Sequence, residues 1–136
     1  MRIWLSRPHM GGAERSYVDA AFDSNFIAPI GPQLDEFEQK MSTYLGDGLH
    51  CVGLSSGTAA LHLAIRMLGV VSDDEIWVSS MTFAGGAFPI IYEKATPVFF
   101  DLSKESWTIC PDLIEDELKN ANLANRLPKA IIPTDL

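Results

Sequence analysis

The chain has 136 residues, of which 47% are hydrophobic and 21% are charged, and this composition is ordinary for a globular protein. That length is enough for one domain with a substantial core. The formal net charge of -8 at pH 7 argues against a nucleic-acid surface and against binding to anionic membranes, because both repel an acidic partner. A small anionic ligand held by local dipoles is compatible with that charge.

Neither a targeting signal nor a metal-ligand pattern stands out in the sequence. No segment approaches transmembrane length, and the first residues, MRIWLSRPHMGG, lack the apolar run of a signal peptide, so we expect a cytoplasmic protein. The cysteines, Cys51 and Cys110, have neither CxxC nor metal-ligand spacing, and we expect them to be reduced and to pack. His9 and His50 have no cysteine or carboxylate at ligand spacing, so no metal site is predicted.

The hydrophobic pattern predicts two helices followed by alternating strands and helices. The helices are GGAERSYVDAAFDSN and GPQLDEFEQKMSTYLG, the second with Pro32 at its first position and an apolar stripe. The predicted strands are HCVGLS, EIWVSS, PVFFDL and KAIIPT, and the helices between them are GTAALHLAIRMLG, TFAGGAFPIIYEKA and PDLIEDELKNA. Gly85, Gly86 and Pro89 should kink or shorten the middle one. The alternation predicts an α/β fold, a mostly parallel sheet between helices.

A cluster of small hydroxyl residues lies at the amino end of a predicted helix, in CVGLSSGTAALHLAI. A strand that runs into Ser55, Ser56, Gly57 and Thr58 leaves free backbone N–H groups at the positive end of the helix dipole. Hydroxyls of Ser56 and Thr58 can add two donors, so this turn is a candidate anion site. The same residues are favoured as an N-cap, and spacing alone leaves both interpretations open. The turn is neither a P-loop nor a GxGxxG fingerprint.

A second strand-to-helix junction, VSSMTFAGGAFP, repeats this arrangement. Ser79, Ser80 and Thr82 precede a helix, and Phe83 lies at its first turn. In a parallel sheet both junctions open at the carboxyl edge, where α/β proteins bind ligands. An anion site at one junction and an aromatic ring at the next would suit a flat, phosphorylated ring. Packing in the core is the alternative for Phe83.

Five motifs follow one another in an order that resembles the pyridoxal phosphate (PLP)-dependent nucleotide-sugar aminotransferases of the DegT family. They are SRPHMGGAE, FIAPIGPQLDEFEQKM, LSSGTAALHLAIRMLGV, SSMTFAGGAFPIIYEKATPVFFD and PKAIIP, and they extend over essentially the whole chain up to Pro133. The resemblance is greatest to bacterial enzymes that act on UDP-linked 4-keto-6-deoxy sugars for surface glycans. It implies the large domain of a fold-type I aminotransferase.

The resemblance also implies site residues and partners. In the family the SGTAAL turn holds the cofactor phosphate, which points to Gly57 and Thr58, with Ser56 nearby. The aromatic residue after the next strand stacks on the pyridine ring, which points to Phe83. The segment 26–31, FIAPIG, corresponds to a region near the sugar and the partner subunit. The implied partners are a nucleotide-sugar substrate, an amino-acid donor and a second copy of the chain.

The sequence departs from the family after its last predicted strand. Family members continue with a histidine segment, an aspartate that pairs with the pyridine nitrogen and the lysine that forms the Schiff base. Here Thr134, Asp135 and Leu136 follow, with Asp135 where the family usually has histidine. No obvious substitute is found among the lysines, which are Lys40, Lys94, Lys104, Lys119 and Lys129. We expect residues 1–136 to form a single truncated large domain without the small C-terminal domain, with no catalytic residue and no transaminase activity alone.

Two other interpretations stay open. The chain could be a non-catalytic α/β module or dimerisation fragment that retains the anion-binding turn. It could also be an unrelated phosphate-binding domain with doubly wound topology, which would bind phosphate at the SSGT turn without any preference for pyridoxal.

Overall fold

The computed structural model describes Ile3 and residues 7–135, and the chain divides into two compact units at the bond between Gly53 and Leu54. The first unit holds the helices α1 (Glu14–Asp23) and α2 (Pro32–Leu45). The second is an α/β unit with the elements α3 (Gly57–Met67), β1 (Glu75–Ser79), α4 (Ala84–Tyr92), β2 (Thr96–Phe100), α5 (Pro111–Leu123) and β3 (Ala130–Ile132). Among the described residues, none of the helices combines the length and the hydropathy that a bilayer crossing needs.

Both helices of the first unit lie where their sequence patterns predict them. Helix α2 begins at Pro32, whose missing N–H is no loss at a first helical position. It ends at Leu45, and the capping residue Gly46 has a φ of 117°, which favours glycine. The Gln33 side-chain amide donates a hydrogen bond of 2.7 Å to the carbonyl of Tyr17, which ties α2 to α1.

The strand that the sequence predicts over HCVGLS is wrong, because residues 50–55 are not part of a sheet. The amide of Cys51 donates to Ser42 Oγ at 2.9 Å, and the amide of Gly53 donates to Glu38 Oε1 at 2.8 Å. Both acceptors are side chains of α2, so these backbone donors are satisfied without a neighbouring strand. Residues 51–53 therefore lie beside α2 without pairing with a strand.

The second unit contains one sheet with the strand order β2-β1-β3, and both pairings are parallel, as predicted. β1 is the central strand. Its Trp77 lies opposite Val98 of β2 on one side and opposite Ile131 of β3 on the other. Because the strands run in the same direction, their carboxyl ends meet at one edge of the sheet.

Helices cover both faces of this sheet. Ile76 and Val78 of β1 are fully buried and pack in a cluster with Ile65 of α3 and Ile90 of α4. Trp77, which lies between them in sequence, packs in a second cluster with side chains of β2 and α5. A strand with both faces buried requires an uninterrupted apolar run, and this strand supplies it.

Helix α4 is shorter than the pattern of TFAGGAFPIIYEKA, which confirms the expected effect of its glycines and proline. It spans nine residues, and Pro89 lies buried inside it. Gly85 allows α4 to approach α3 closely, because a β-carbon at residue 85 would lie 2.5 Å from Thr58 Oγ1. Beyond the end of the helix, Lys94 has a φ of 60°, a conformation that favours glycine.

Candidate functional site

The amino end of α3 is capped by Ser56. This residue is extended, with φ of -166° and ψ of 162°, and its Oγ accepts a hydrogen bond of 3.1 Å from the amide of Ala59. The amides of Gly57 and Thr58 come before the first residue whose N–H can reach a carbonyl within the helix. The cap therefore leaves these two donors for a ligand, and the cap and anion-site interpretations are compatible at this turn.

Phe83 occupies the N-cap position of α4, with an extended backbone at φ of -62° and ψ of 149°. Phe83 is 85% exposed, so packing in the core, the alternative left open by the sequence, does not hold. An exposed aromatic ring has a face on which a flat ligand can stack.

An open cleft of about 560 Å³ lies at the carboxyl edge of the sheet in the second unit. Its walls are the amino ends of α3 and α4 and the segment that follows β3. The cleft brings together Gly57, Thr58 and Phe83, whereas Ser56 caps α3 without belonging to the lining. The other lining residues are Leu61, Thr82, Gly85, Gly86, Ile132, Pro133, Thr134 and Asp135.

Charged groups are scarce in this cleft. In the part of the chain that the structure describes, Asp135 is the one charged lining residue, and no lysine contributes to the lining. Lys94 and Lys129 precede β2 and β3, so both lie at the opposite edge of the sheet. Lys104 follows β2 and lines a separate pocket of about 250 Å³, and Lys119 forms ion pairs on α5. Within residues 7–135 no cluster of three or more potential ligands is placed to hold a metal ion.

A cluster of charged and aromatic side chains, which the sequence did not predict, joins α3 to the end of α4. His62 Nε2 lies 2.5 Å from Glu93 Oε1, and the Arg66 guanidinium lies 3.5 Å from the same oxygen. The His62 ring also meets the Tyr92 ring edge-on, with the centroids 5.3 Å apart. The sequence predicts a partly packed helical histidine, which is confirmed by its 32% side-chain exposure. In sequence, β1 and most of α4 separate His62 from Tyr92 and Glu93, so no local pattern predicts these contacts.

The first unit has a cavity of its own, with a volume of about 430 Å³. Phe26, Ala28 and Gly31 line it, and these belong to the segment that the family resemblance associates with the sugar. Ala20 and Ala21 of α1 also contribute to the lining. Among the described residues no charged side chain lines this cavity, so it suits an apolar or neutral group.

A parallel sheet covered by helices on both faces, with a cleft at the carboxyl ends of its strands, defines the class of α/β proteins that bind ligands at this edge. Within that class, the chain belongs to the DegT/DnrJ/EryC1/StrS aminotransferase family, whose model matches residues 8–136. The chain is 43% identical to a Bacillus subtilis (strain 168) protein named "Putative pyridoxal phosphate-dependent aminotransferase EpsN", over 99% of this chain and 34% of that protein.

Two further comparisons agree with this assignment. The chain is 33% identical to GDP-perosamine synthase of Caulobacter vibrioides, over 99% of this chain and 34% of the synthase. Its fold superposes on a DegT DnrJ EryC1 StrS aminotransferase from Brucella abortus with a TM-score of 0.75 and 30% identity, covering 94% of this chain and 37% of that one. The predicted family and fold class are confirmed, and the chain spans about a third of the length of these relatives.

Proposed function

We propose that the cleft of the second unit holds the phosphate and the ring of PLP. We further propose that the chain serves in the transfer of an amino group from an amino-acid donor to the keto carbon of a nucleotide sugar. The observation that carries the proposal is that the amino end of α3 and the exposed ring of Phe83 line one cleft. Family membership supports the reaction class, and the names of EpsN and GDP-perosamine synthase support the cofactor and the sugar.

The amino end of α3 fits a phosphate group. The amides of Gly57 and Thr58 lie in the first turn of α3, at the positive end of the helix dipole. The hydroxyls of Thr58, in the cleft lining, and of Ser56, just before it, are further donors. Apart from its chain neighbours and the backbone of its own helix, a β-carbon at residue 57 would meet no atom within 4 Å, so the fold itself leaves this space open. We propose that this space takes the phosphate oxygens, which would approach the Gly57 amide directly.

Phe83 suits the role of a stacking surface for the pyridine ring. It lies at the amino end of α4, which shares the cleft with the amino end of α3. Bound PLP supplies an electron sink for the carbon that carries the amino group. The side chains of this cleft would bind the phosphate and orient the ring, because none of the described lining residues is a lysine that could anchor it covalently.

The absence of a lysine from the described cleft lining also supports the proposal that the chain alone does not catalyse transamination. The reaction needs a lysine both as the covalent anchor and as the group that moves the proton. We accordingly assign no catalytic residue, and we keep a non-catalytic module with an anion-binding turn as the second candidate function. The SSGT turn favours this candidate, since anion binding there requires no lysine.

Three further expectations accompany this proposal. We propose that residues 1–136 correspond to part of the large PLP-binding domain, that the protein is cytoplasmic and that it forms homo-oligomers. Large apolar side chains that are about half exposed on α4, such as Phe88 and Ile91, support association with another chain surface. Size-exclusion chromatography with light scattering tests the last point, and a monomer at micromolar concentration would contradict it.

The cofactor assignment is tested by titrating the chain with pyridoxine 5′-phosphate, which has no aldehyde and cannot react with lysine. We expect tighter binding of this ester than of pyridoxine or of inorganic phosphate. Phe83→Ala should weaken binding of the ester and leave inorganic phosphate unaffected. Phe88→Ala is the matched control, since Phe88 is half exposed on the same helix outside the cleft.

The outcomes separate the candidate functions. Equal affinity for inorganic phosphate and the ester, with no effect of Phe83→Ala, would favour a phosphate site without a ring preference. No binding of either ligand would contradict both. Incubation with PLP followed by borohydride reduction and peptide mapping tests the absence of an anchor. A stoichiometric adduct at one lysine would overturn that part of the proposal.

A further inference from the structure

Ser79, the last residue of β1, is a polar side chain buried completely at the carboxyl end of the central strand. Its Oγ accepts a hydrogen bond of 3.0 Å from the amide of Thr134, which lies just beyond β3. A buried hydroxyl is costly without a hydrogen-bond partner, so this contact gives a physical reason for a serine directly after the apolar residues 76–78.

The hydrogen bond replaces the strand pairing where that pairing stops. The register of β1 with β3 ends at Val78 and Ile132. The residue that follows Ile132 is Pro133, which has no N–H to continue the ladder. The next amide, that of Thr134, bonds instead to the Ser79 side chain.

The segment held in this way, Pro133–Asp135, forms one wall of the cleft, whereas Ser79 itself does not line it. The other side of β1 is fixed as well, because the amide of Ser80 donates a hydrogen bond of 2.8 Å to the carbonyl of Phe100 in β2. The carboxyl end of β1 is thus anchored towards both neighbouring strands just before the chain reaches Phe83.

We infer that Ser79 is a positioning residue of the cleft: through the Thr134 amide it fixes the wall Pro133–Asp135 relative to Phe83 and the amino end of α3. The inference rests on the proposed function of the cleft. It assigns Ser79 no contact with the ligand, so its effect on binding should pass through the Thr134 hydrogen bond alone.

The test compares Ser79→Ala with Ser80→Ala, a matched control in which the neighbouring exposed hydroxyl is removed. Amide hydrogen exchange gives the first measurement. We expect exchange at Thr134 to accelerate by about tenfold in Ser79→Ala, the change expected for loss of one hydrogen bond, and to stay unchanged in Ser80→Ala. The second measurement is the affinity for pyridoxine 5′-phosphate, which should fall about threefold to tenfold in Ser79→Ala only.

Thr134→Pro removes the donor and leaves Ser79 in place, so it covers the case in which Ser79→Ala unfolds the unit. Thr134→Pro should lower the affinity for the ester about as much as Ser79→Ala does. The double variant Ser79→Ala/Thr134→Pro should bind the ester no more weakly than either single variant. If the parent chain binds the ester and both single variants bind it equally well, the role of Ser79 is overturned while the proposed function stands. If the parent chain binds no ester, the proposed function fails, and the role assigned to Ser79 fails with it.

Discussion

His62 Nε2 lies 2.5 Å from Glu93 Oε1, and this contact joins the middle of α3 to the residue that follows α4. Arg66, one turn further along α3, lies 3.5 Å from the same oxygen. The Glu93 side chain is only 16% exposed, so its carboxylate depends on these partners for compensation. The two helices whose amino ends form the cleft are therefore also linked by polar contacts away from it.

Removal of the Glu93 carboxylate should destabilise the second unit. Glu93→Ala leaves His62 and Arg66 without their shared acceptor, and we expect the free energy of unfolding to fall by about 1–3 kcal/mol in urea denaturation. Glu115→Ala is the control, since Glu115 pairs with Lys119 on the exposed face of α5, and its effect should stay below about 0.5 kcal/mol. Equal effects of the two substitutions would show that the helix link contributes nothing beyond a surface ion pair.

Gly57→Ala should separate ligand binding from folding. The β-carbon meets no atom within 4 Å outside its chain neighbours and its own helix backbone, so the midpoint of thermal unfolding should not fall. The same methyl group would occupy the space proposed for the phosphate, and the affinity for pyridoxine 5′-phosphate should fall by about tenfold or more. Isothermal titration measures this, and an unchanged affinity would argue against a phosphate at the amino end of α3.

Thr58→Val tests the hydroxyl at the same turn while preserving its shape. Loss of one hydrogen bond to a charged phosphate should lower the affinity for pyridoxine 5′-phosphate by about tenfold. Pyridoxine, which has no phosphate, is the control ligand for this variant, and its weaker binding should not change. A parallel loss with both ligands would point to a disturbed cleft instead of a missing donor.

Lys94→Gly should stabilise the second unit by about 0.5–1 kcal/mol, because Lys94 has a φ of 60° just beyond the end of α4. Glycine adopts this left-handed conformation without the steric cost of a side chain. Lys104→Gly is the matched control at a position that lacks a positive φ, where added chain freedom should be neutral or destabilising. Chemical denaturation of both variants checks the sign, and a loss of stability in Lys94→Gly would contradict the prediction.

Acidic pH should break the hydrogen bonds that hold Gly11 and Gly12, just before α1, to the Glu14 carboxylate. The Glu14 carboxylate accepts hydrogen bonds from its own amide and from the amides of Gly11 and Gly12, and these lower its pKa. A lowered folded-state pKa means that the stabilisation is present above the unfolded pKa and is lost as pH falls through the folded one. The amides of Gly11 and Gly12 should therefore titrate together in an NMR pH series, and Glu14→Gln should remove that transition.

The sequence predicts the helices and strands of the second unit better than it predicts residues 50–55, which lead from the first unit into the second. Strands and helices from Gly57 onward were predicted because each carries its own local period and its own glycine or proline signals. The strand over residues 50–55 was predicted wrongly, since an apolar run cannot reveal that side chains of α2 will take its amides.

The candidate site was likewise predicted in part: some of its lining residues were predicted, and its long-range side-chain contacts were not. Gly57, Thr58 and Phe83 were predicted from two junctions, and the parallel sheet brings the junctions to one cleft. The contacts of Ser79 with Thr134 and of His62 with Glu93 join residues that are distant in sequence, and nothing in either local pattern signals them. Such pairings depend on the register of the strands and the packing of the helices, which only the folded chain defines.

The central position of β1 also has a kinetic consequence. Ile76 pairs with Pro97 across a helical crossover and with Ala130 near the other end of the unit, so no strand pairing in this sheet is a local hairpin. Loop closure must precede each ladder, which makes the sheet slow to form compared with its helices. Until β3 docks, the apolar residues 76–78 of β1 form an unpaired strand edge, and refolding at high protein concentration should favour aggregation during that interval.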